Sequence, residues 1–193
     1  GASFWMGVDN FYMYDGAVRT LECPVLTHVF NDFNQVQREK VFCGQNIKFN
    51  ELWWFYPSAN ATDVDKYVIY NYIDKTWSIG NLDRTAWVDS NIYSNPLSVD
   101  TNGLQYNQES GVDAAGSAIT AFVETGFFNG DPNGDNVYFL DRVIPDVTFK
   151  EGSVMKFTLN TKIYPQGEEI TKGPFTINST DPELDFRARG RSF

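Results

Sequence analysis

FNELWWFYPSANATDVDKYVIYNYIDKTWSIGNL, residues 49–82, carries three apolar runs separated by turn and loop chemistry. In the first run Trp53, Trp54, Phe55 and Tyr56 are consecutive. A pleated strand sends successive side chains to opposite faces, so a strand over 52–56 presents bulky rings on both sides and needs cover on both. Residues 58–65 form a polar loop. The runs 66–72 (KYVIYNY) and 76–82 (TWSIGNL) then read as a hairpin turning at Asp74-Lys75. Upstream, 41–48 pairs with 52–56 across Phe49-Asn50-Glu51.

The same rhythm extends outward. Residues 3–8 and 11–14 are short aromatic strands joined at Asp9-Asn10. Asp15-Gly16 is a strong hairpin signal, because φ > 0 costs little there, and it leads into the alternating run 17–23. Residues 31–40 (NDFNQVQREK) are the one stretch that reads as a helix, with Asp32 or Asn34 as cap and good helix formers behind it. Short strands follow at 86–89, 96–100 and 104–108, the last two joined at Asn102-Gly103. Residues 111–118 (GVDAAGSA) are small and flexible, the best internal boundary. Beyond them 119–128, 136–149 and 154–164 read as longer alternating strands, joined by 131–135 and by Glu151-Gly152-Ser153. The runs 175–177 and 184–189 finish the chain.

The expected fold is therefore all-β. Residues 1–118 form β-propeller-like blades of antiparallel meanders with one short helix near 32–40. Residues 119–193 form a longer-stranded C-terminal β module within the same propeller-type domain. The turns at 14–16, 72–77 and 100–106 each sit where the inner hairpin of a blade would.

Composition bounds the function. The aromatic share of 16% suits strands and a packed core. No run approaches the roughly 18 apolar residues of a membrane span, and GASFWMGVD has no signal-peptide pattern. A net charge of −10 is unsuited to gripping DNA phosphates. The only basic cluster is Arg187, Arg189 and Arg191.

Few residues have the chemistry of a site. Cys23 and Cys43 lie in no metal-binding spacing and are expected as buried free thiols, although their spacing permits a disulfide. His28, the single histidine, lies in the apolar run Leu26-Thr27-His28-Val29-Phe30 and is expected to be packed or hydrogen-bonded. Asp63, Asp65, Asp83, Asp89, Glu124, Asp141 and Asp146 are too scattered to nominate the acid pair of a glycosidase. Asp131, Asn133 and Asp135 match the start of a calcium loop. Asn136 then replaces its glycine and Arg142 its closing glutamate, so a plain turn is expected. Trp5, Trp53, Trp54, Trp77 and Trp87 are candidates to stack sugars, but core filling is the commoner use. The Asn60 and Asn178 sequons lack a secretion signal. No catalytic residue, metal ligand or cofactor is expected.

Several strings together resemble tail proteins of short-tailed double-stranded DNA phages, the packaged-DNA stabilisation or tail-nozzle proteins. They are FNELWWFYPS (49–58), DKYVIYNY (65–72), Thr76-Trp77, Arg84-Thr85-Ala86-Trp87, RVIPD (142–146) and DFRARGR (185–191). They run along nearly the whole chain, in the same order. The resemblance implies a non-catalytic β-propeller protein of the virion tail, assembled in the host cytoplasm as a hexameric ring. Portal, head–tail adaptor and tail fibre proteins would be its partners, with no sequence-specific nucleic-acid binding. Such a ring forms the DNA exit channel and helps retain DNA beforehand; acidic loops would line it, and loops 58–65 and 111–118 would meet neighbours. Relatives are longer, so the chain resembles a C-terminal fragment. A carbohydrate-binding, lectin-like virion module is the alternative, and a propeller glycosidase a distant third.

Overall fold

The computed structural model describes residues 1–134, 136–149, 153–181 and 183–193. It divides into two compact units, Gly1–Ile119 and Thr120–Phe193. Among the described residues fourteen strands build several small antiparallel sheets with no closed barrel. The fold is all-β.

The first unit holds three meanders in sequence. β1 (Ser3–Met6), β2 (Phe11–Tyr14) and β3 (Val18–Thr20) form the first. The second is a four-stranded sheet of β4 (Phe42–Asn46), β5 (Glu51–Tyr56), β6 (Lys66–Asn71) and β7 (Thr76–Asn81), paired in chain order. β8 (Ala86–Val88), β9 (Leu97–Val99) and β10 (Gln105–Asn107) make the third, with β9 in the middle.

The middle sheet is covered on both faces, as the run Trp53–Tyr56 demands. Leu52, Trp54 and Tyr56 join Val68 and Tyr70 on one face, where Phe11, Leu21, Val29 and Phe33 pack onto them. Trp53, Phe55 and Ile69 face the other way with Val64, and Phe42, Tyr67, Leu82 and Trp87 close that side. Phe11 is fully buried, its ring centroid 5.0 Å from Trp54 and 4.8 Å from Trp77. On the opposite face Trp87 stacks 5.2 Å from Trp53. Rings of this size bury roughly 150–250 Å² each, so the two aromatic clusters dominate the stability of the unit.

The helix lies earlier than expected. α1 spans Leu26–Asp32, and residues Gln35–Lys40 form a 3-10 helix. Leu26, Val29, Phe30 and Phe33 recur at 3.6-residue spacing and pack on the first core, and this packing outweighs the intrinsic helix propensity of the polar run behind it. Asn34 does cap that run, its side chain accepting from the Val36 N–H at 3.0 Å. α1 brings His28 to an exposed position, so the histidine is not packed, and among the described residues it has no hydrogen-bond partner.

The second unit is built from two ribbons. β11 (Tyr138–Val143) pairs with β14 (Leu184–Gly190), and β12 (Val154–Thr161) with β13 (Ile170–Asn178). Phe186 lies between Phe157 and Phe175, at 6.0 and 5.8 Å, and Ile177, Ala188 and Phe193 are also buried. The strand expected at 119–128 is absent. Only its last residue joins a neighbour, Phe128 exchanging two 3.0 Å backbone hydrogen bonds with Phe193. A strand needs a ladder, and the unit offers 119–127 none. The strand expected over 136–149 stops at Val143, where pairing with Leu184 ends. Glu151 and Gly152, expected as part of a turn, lie outside the described residues.

Gly44 sits under Trp87, and a Cβ there would lie 2.6 Å from the indole Cγ. Gly44→Ala should therefore destabilise the chain by about 1–3 kcal/mol in denaturant melts. An unchanged midpoint would show that Trp87 does not hold this position.

Candidate functional site

The scattered acids stay scattered. Asp63 pairs with Lys40 at 2.6 Å, and Asp65 accepts from the Ser58 N–H and hydroxyl at 2.7 and 2.6 Å. Asp83 pairs with Arg84 at 3.1 Å, while Asp89 accepts from the Ile47 and Ser90 N–H groups. Glu124, Asp141 and Asp146 are exposed in the second unit. Two open grooves of the first unit, one beside Phe4 and Tyr72 and one beside Met6 and Phe33, are lined by no carboxylate.

The tryptophans are mostly core. Trp53 and Trp54 are buried, and Trp77 and Trp87 pack onto the two clusters. Only Trp5 is exposed, and it stacks on Tyr12 at 5.5 Å. Cys23 and Cys43 are free thiols, but Cys43 is exposed on edge strand β4 rather than buried.

Asp131 spends both carboxylate oxygens on its own turn. It accepts from the N–H groups of Asn133, Gly134 and Asn136 and from the Asn136 amide. Desolvation opposes its charge, but these donors outweigh it and hold the carboxyl below the usual range. Asp135 lies outside the described residues. Among those described, no three His, Cys, Asp or Glu side chains converge as metal ligands.

The densest polar arrangement sits on the third meander, and single-residue motifs did not reveal it. Arg84, itself buried, donates through Nε to Ser98 Oγ at 2.8 Å and lies over the Tyr106 ring at 4.3 Å. Ser98 also accepts from Gln108 at 2.7 Å. Tyr106 donates to Asp100 at 3.1 Å, and Asp100 takes the Asn102 and Leu104 N–H groups at 2.8 and 2.9 Å. Desolvation of Asp100 is again outweighed by these donors, and its pKa lies below the ordinary value. Each group serves the turn and the strand pairing, so the network fastens a small three-stranded sheet. The signal for it was the spacing of Ser98, Asp100, Tyr106 and Gln108, which alternates across a turn.

The second unit presents the opposite character. Phe122, Val123, Phe139, Ile144 and Val154 are all exposed, Val123 at 97%. Arg187 and Arg189 share the exposed side of β14 with no ion-pair partner among the described residues, and Phe139 stands across the ladder from Arg189. Arg191 instead donates to the Gly134 carbonyl at 2.8 Å. Among the described residues no helix is long and apolar enough to cross a membrane. No protein-family model and no curated protein sequence matches the chain.

Asp100→Asn should lower the thermal midpoint at neutral pH. A depressed pKa stabilises above the unfolded value near 4 and loses that contribution as pH falls through the folded value, so the gap between variant and wild type should close in acid. A gap independent of pH would assign the loss to something other than the carboxylate.

Proposed function

We propose that the chain is a structural component of a phage tail, a nozzle or hub subunit that helps retain packaged DNA and forms part of its exit channel. One observation carries the reading: the fold leaves more surface bare than a self-sufficient protein does. The accessible surface is 13128 Å². The scaling for folded monomers gives about 9,300 Å² for 22.0 kDa, and about 11,000 Å² if the two units are treated as separate proteins. The excess of roughly 2,000 Å² is the size of a specific protein–protein interface.

The bare surface is of the kind that partners cover. Residues 119–127 have strand chemistry and no ladder, and Phe122 and Val123 within them are 75% and 97% exposed. An unpaired strand-forming segment is a ready site for pairing with a neighbouring chain. Self-association in a ring would satisfy both the ladder and the apolar side chains. Support for a propeller-type arrangement comes from three successive antiparallel meanders, the middle one packed on both faces. The motif strings shared with tail-nozzle proteins point the same way, as does a net charge of −10, which would keep a channel wall from adhering to DNA.

In this reading the chain resides in the virion tail, between the portal–adaptor assembly and the tail fibres. The carbohydrate-binding alternative has only Trp5 as an exposed indole, and that ring is engaged with Tyr12.

Mixing the chain with purified portal–adaptor complexes should give rings in negative-stain images. Val123→Asp should abolish them while leaving the unfolding free energy within about 0.5 kcal/mol of wild type, as expected of an exposed site. Glycan-array binding without ring assembly would transfer the chain to the lectin class.

A further inference from the structure

The first meander has three strands and covers one face of a sheet that has four. Its far end reaches β7, where the Trp77 indole donates to the Glu22 carbonyl at 2.9 Å. Phe11 of β2 packs on Trp54 of β5, and Phe4 of β1 stands 6.3 Å from Tyr70 of β6. On β4 the same face is bare. Cys43 and Gln45 are exposed there, across the ladder from the buried Trp54 and Leu52.

The meander stops at a free edge. β1 pairs with β2 alone among the described residues. The Phe11 carbonyl accepts from the Leu21 N–H at 2.8 Å on the β3 side, and the Gly7 N–H donates to the Asn10 carbonyl at 2.8 Å. Bonded and non-bonded pairs alternate along an antiparallel ladder, so Met6–Phe11 and Phe4–Met13 are the non-bonded pairs. The N–H and C=O groups of Phe4 and Met6 therefore point away from β2 with nothing to pair with. Two grooves run beside this edge. One, of about 420 Å³, lies between Phe4, Gln45, Leu52 and Tyr72 and has room for an aromatic side chain. The other lies beside Met6 and Val41 and is lined by Arg38. Arg38 is exposed and forms no ion pair among the described residues.

The complement of this edge is carried by the same chain. Residues 119–127 suit a strand and pair with none, and Glu124 within them likewise forms no ion pair among the described residues. We propose that residues 119–127 of a second copy add to the free edge of β1 as a fourth, parallel strand, with Phe122 opposite Phe4 and Glu124 opposite Met6. This contact rests on the ring assembly proposed above and supplies its joint. Residues directly opposite in a sheet share a face, so Phe122 enters the groove over Leu52 and Glu124 meets Arg38. Val123 falls on the other face and covers the exposed Trp5. An antiparallel strand would take either Phe122 or Glu124 away from its place. Backbone pairing supplies the affinity, while the ring in its groove and the opposite charges fix the register. The two patches are different, so the contact is head-to-tail, the kind that closes a ring of identical chains when the rotation allows.

The test is charge exchange in the whole chain, followed by sedimentation and by amide hydrogen exchange. The wild type should associate as its concentration rises, and exchange at Phe4 and Met6 should slow as it does. Glu124→Arg and Arg38→Glu should each weaken association by about tenfold or more, since each sets like charges together. Both positions are exposed, so both variants should melt as the wild type does. An equimolar mixture of the two variants should regain association, because each copy then meets the opposite charge on the other. A wild-type chain that stays monomeric up to about 1 mM would overturn the proposal, as would single variants that associate like the wild type. A mixture that fails to recover would overturn it too, and is the result expected if 119–127 lay on β1 of its own copy. Association with recovery, but without rings on portal–adaptor complexes, would uphold this contact and remove the tail assignment. Such rings from both single variants would keep that assignment and overturn this contact.

Discussion

Trp53 and Trp54 cannot lie on the same side of a pleated strand. This one steric fact obliges β5 to be buried twice, and the first unit is arranged around it. One ring goes into a cluster with Phe11 and Trp77, the other into a cluster with Phe55 and Trp87. A four-stranded sheet alone offers no cover, so the meander β1–β3 with α1 closes one face and β8 reaches across the other. Apolar transfer at about 25 cal/mol per Å² makes each ring worth several kcal/mol, far above the 0–1 kcal/mol of a surface ion pair such as Arg19–Asp15. The polar contacts therefore set where the chain turns, while the rings decide that it folds.

Much of this was legible. The hairpin turns at Asp15-Gly16, Asp74-Lys75 and Asn102-Gly103 stand where their chemistry places them, because side chains such as Asn71 and Asp100 accept the N–H groups of the turns locally. Local hydrogen bonds are written in local sequence. α1 was misplaced because Val29 and Phe30 fit a strand and a helix face equally well over so short a run, and the choice was made by Phe11 and Tyr56, which lie in other elements. His28 went with it: on a strand it would have been packed, on a helix it turns to solvent. The Arg84 network was missed for a related reason, since Ser98, Asp100, Tyr106 and Gln108 alternate across a turn but are joined only once β9 and β10 are paired.

Residues 119–128 failed in an instructive way. Ile119, Ala121 and Val123 fall on one face of an extended segment and Thr120, Phe122 and Glu124 on the other, which suits a strand, and the chain nonetheless leaves 119–127 unpaired. Pattern reports what a segment is able to do; a ladder requires a second backbone to do it with. In the second unit β11 pairs with β14 and β12 with β13, and neither ribbon takes 119–127 onto an open edge. The segment and the exposed Phe139 and Ile144 are then consistent with a fold completed from outside the unit, the condition on which the proposed ring rests.

Such a surface carries a hazard, and the charge distribution answers it. Exposed apolar strands at cytoplasmic concentrations pair indiscriminately unless something opposes their approach. Two copies that each carry −10 repel at distances up to the Debye length of about 8–10 Å, while contact over a specific interface outweighs that repulsion only when the shapes match. Arg187 and Arg189 form no ion pair among the described residues on the exposed side of β14, and Arg189 lies across the ladder from the bare ring of Phe139. In the proposed assembly of identical chains such a place would locally reverse the net repulsion, so the same acidity that would keep DNA off a channel wall would also steer which faces of two subunits meet.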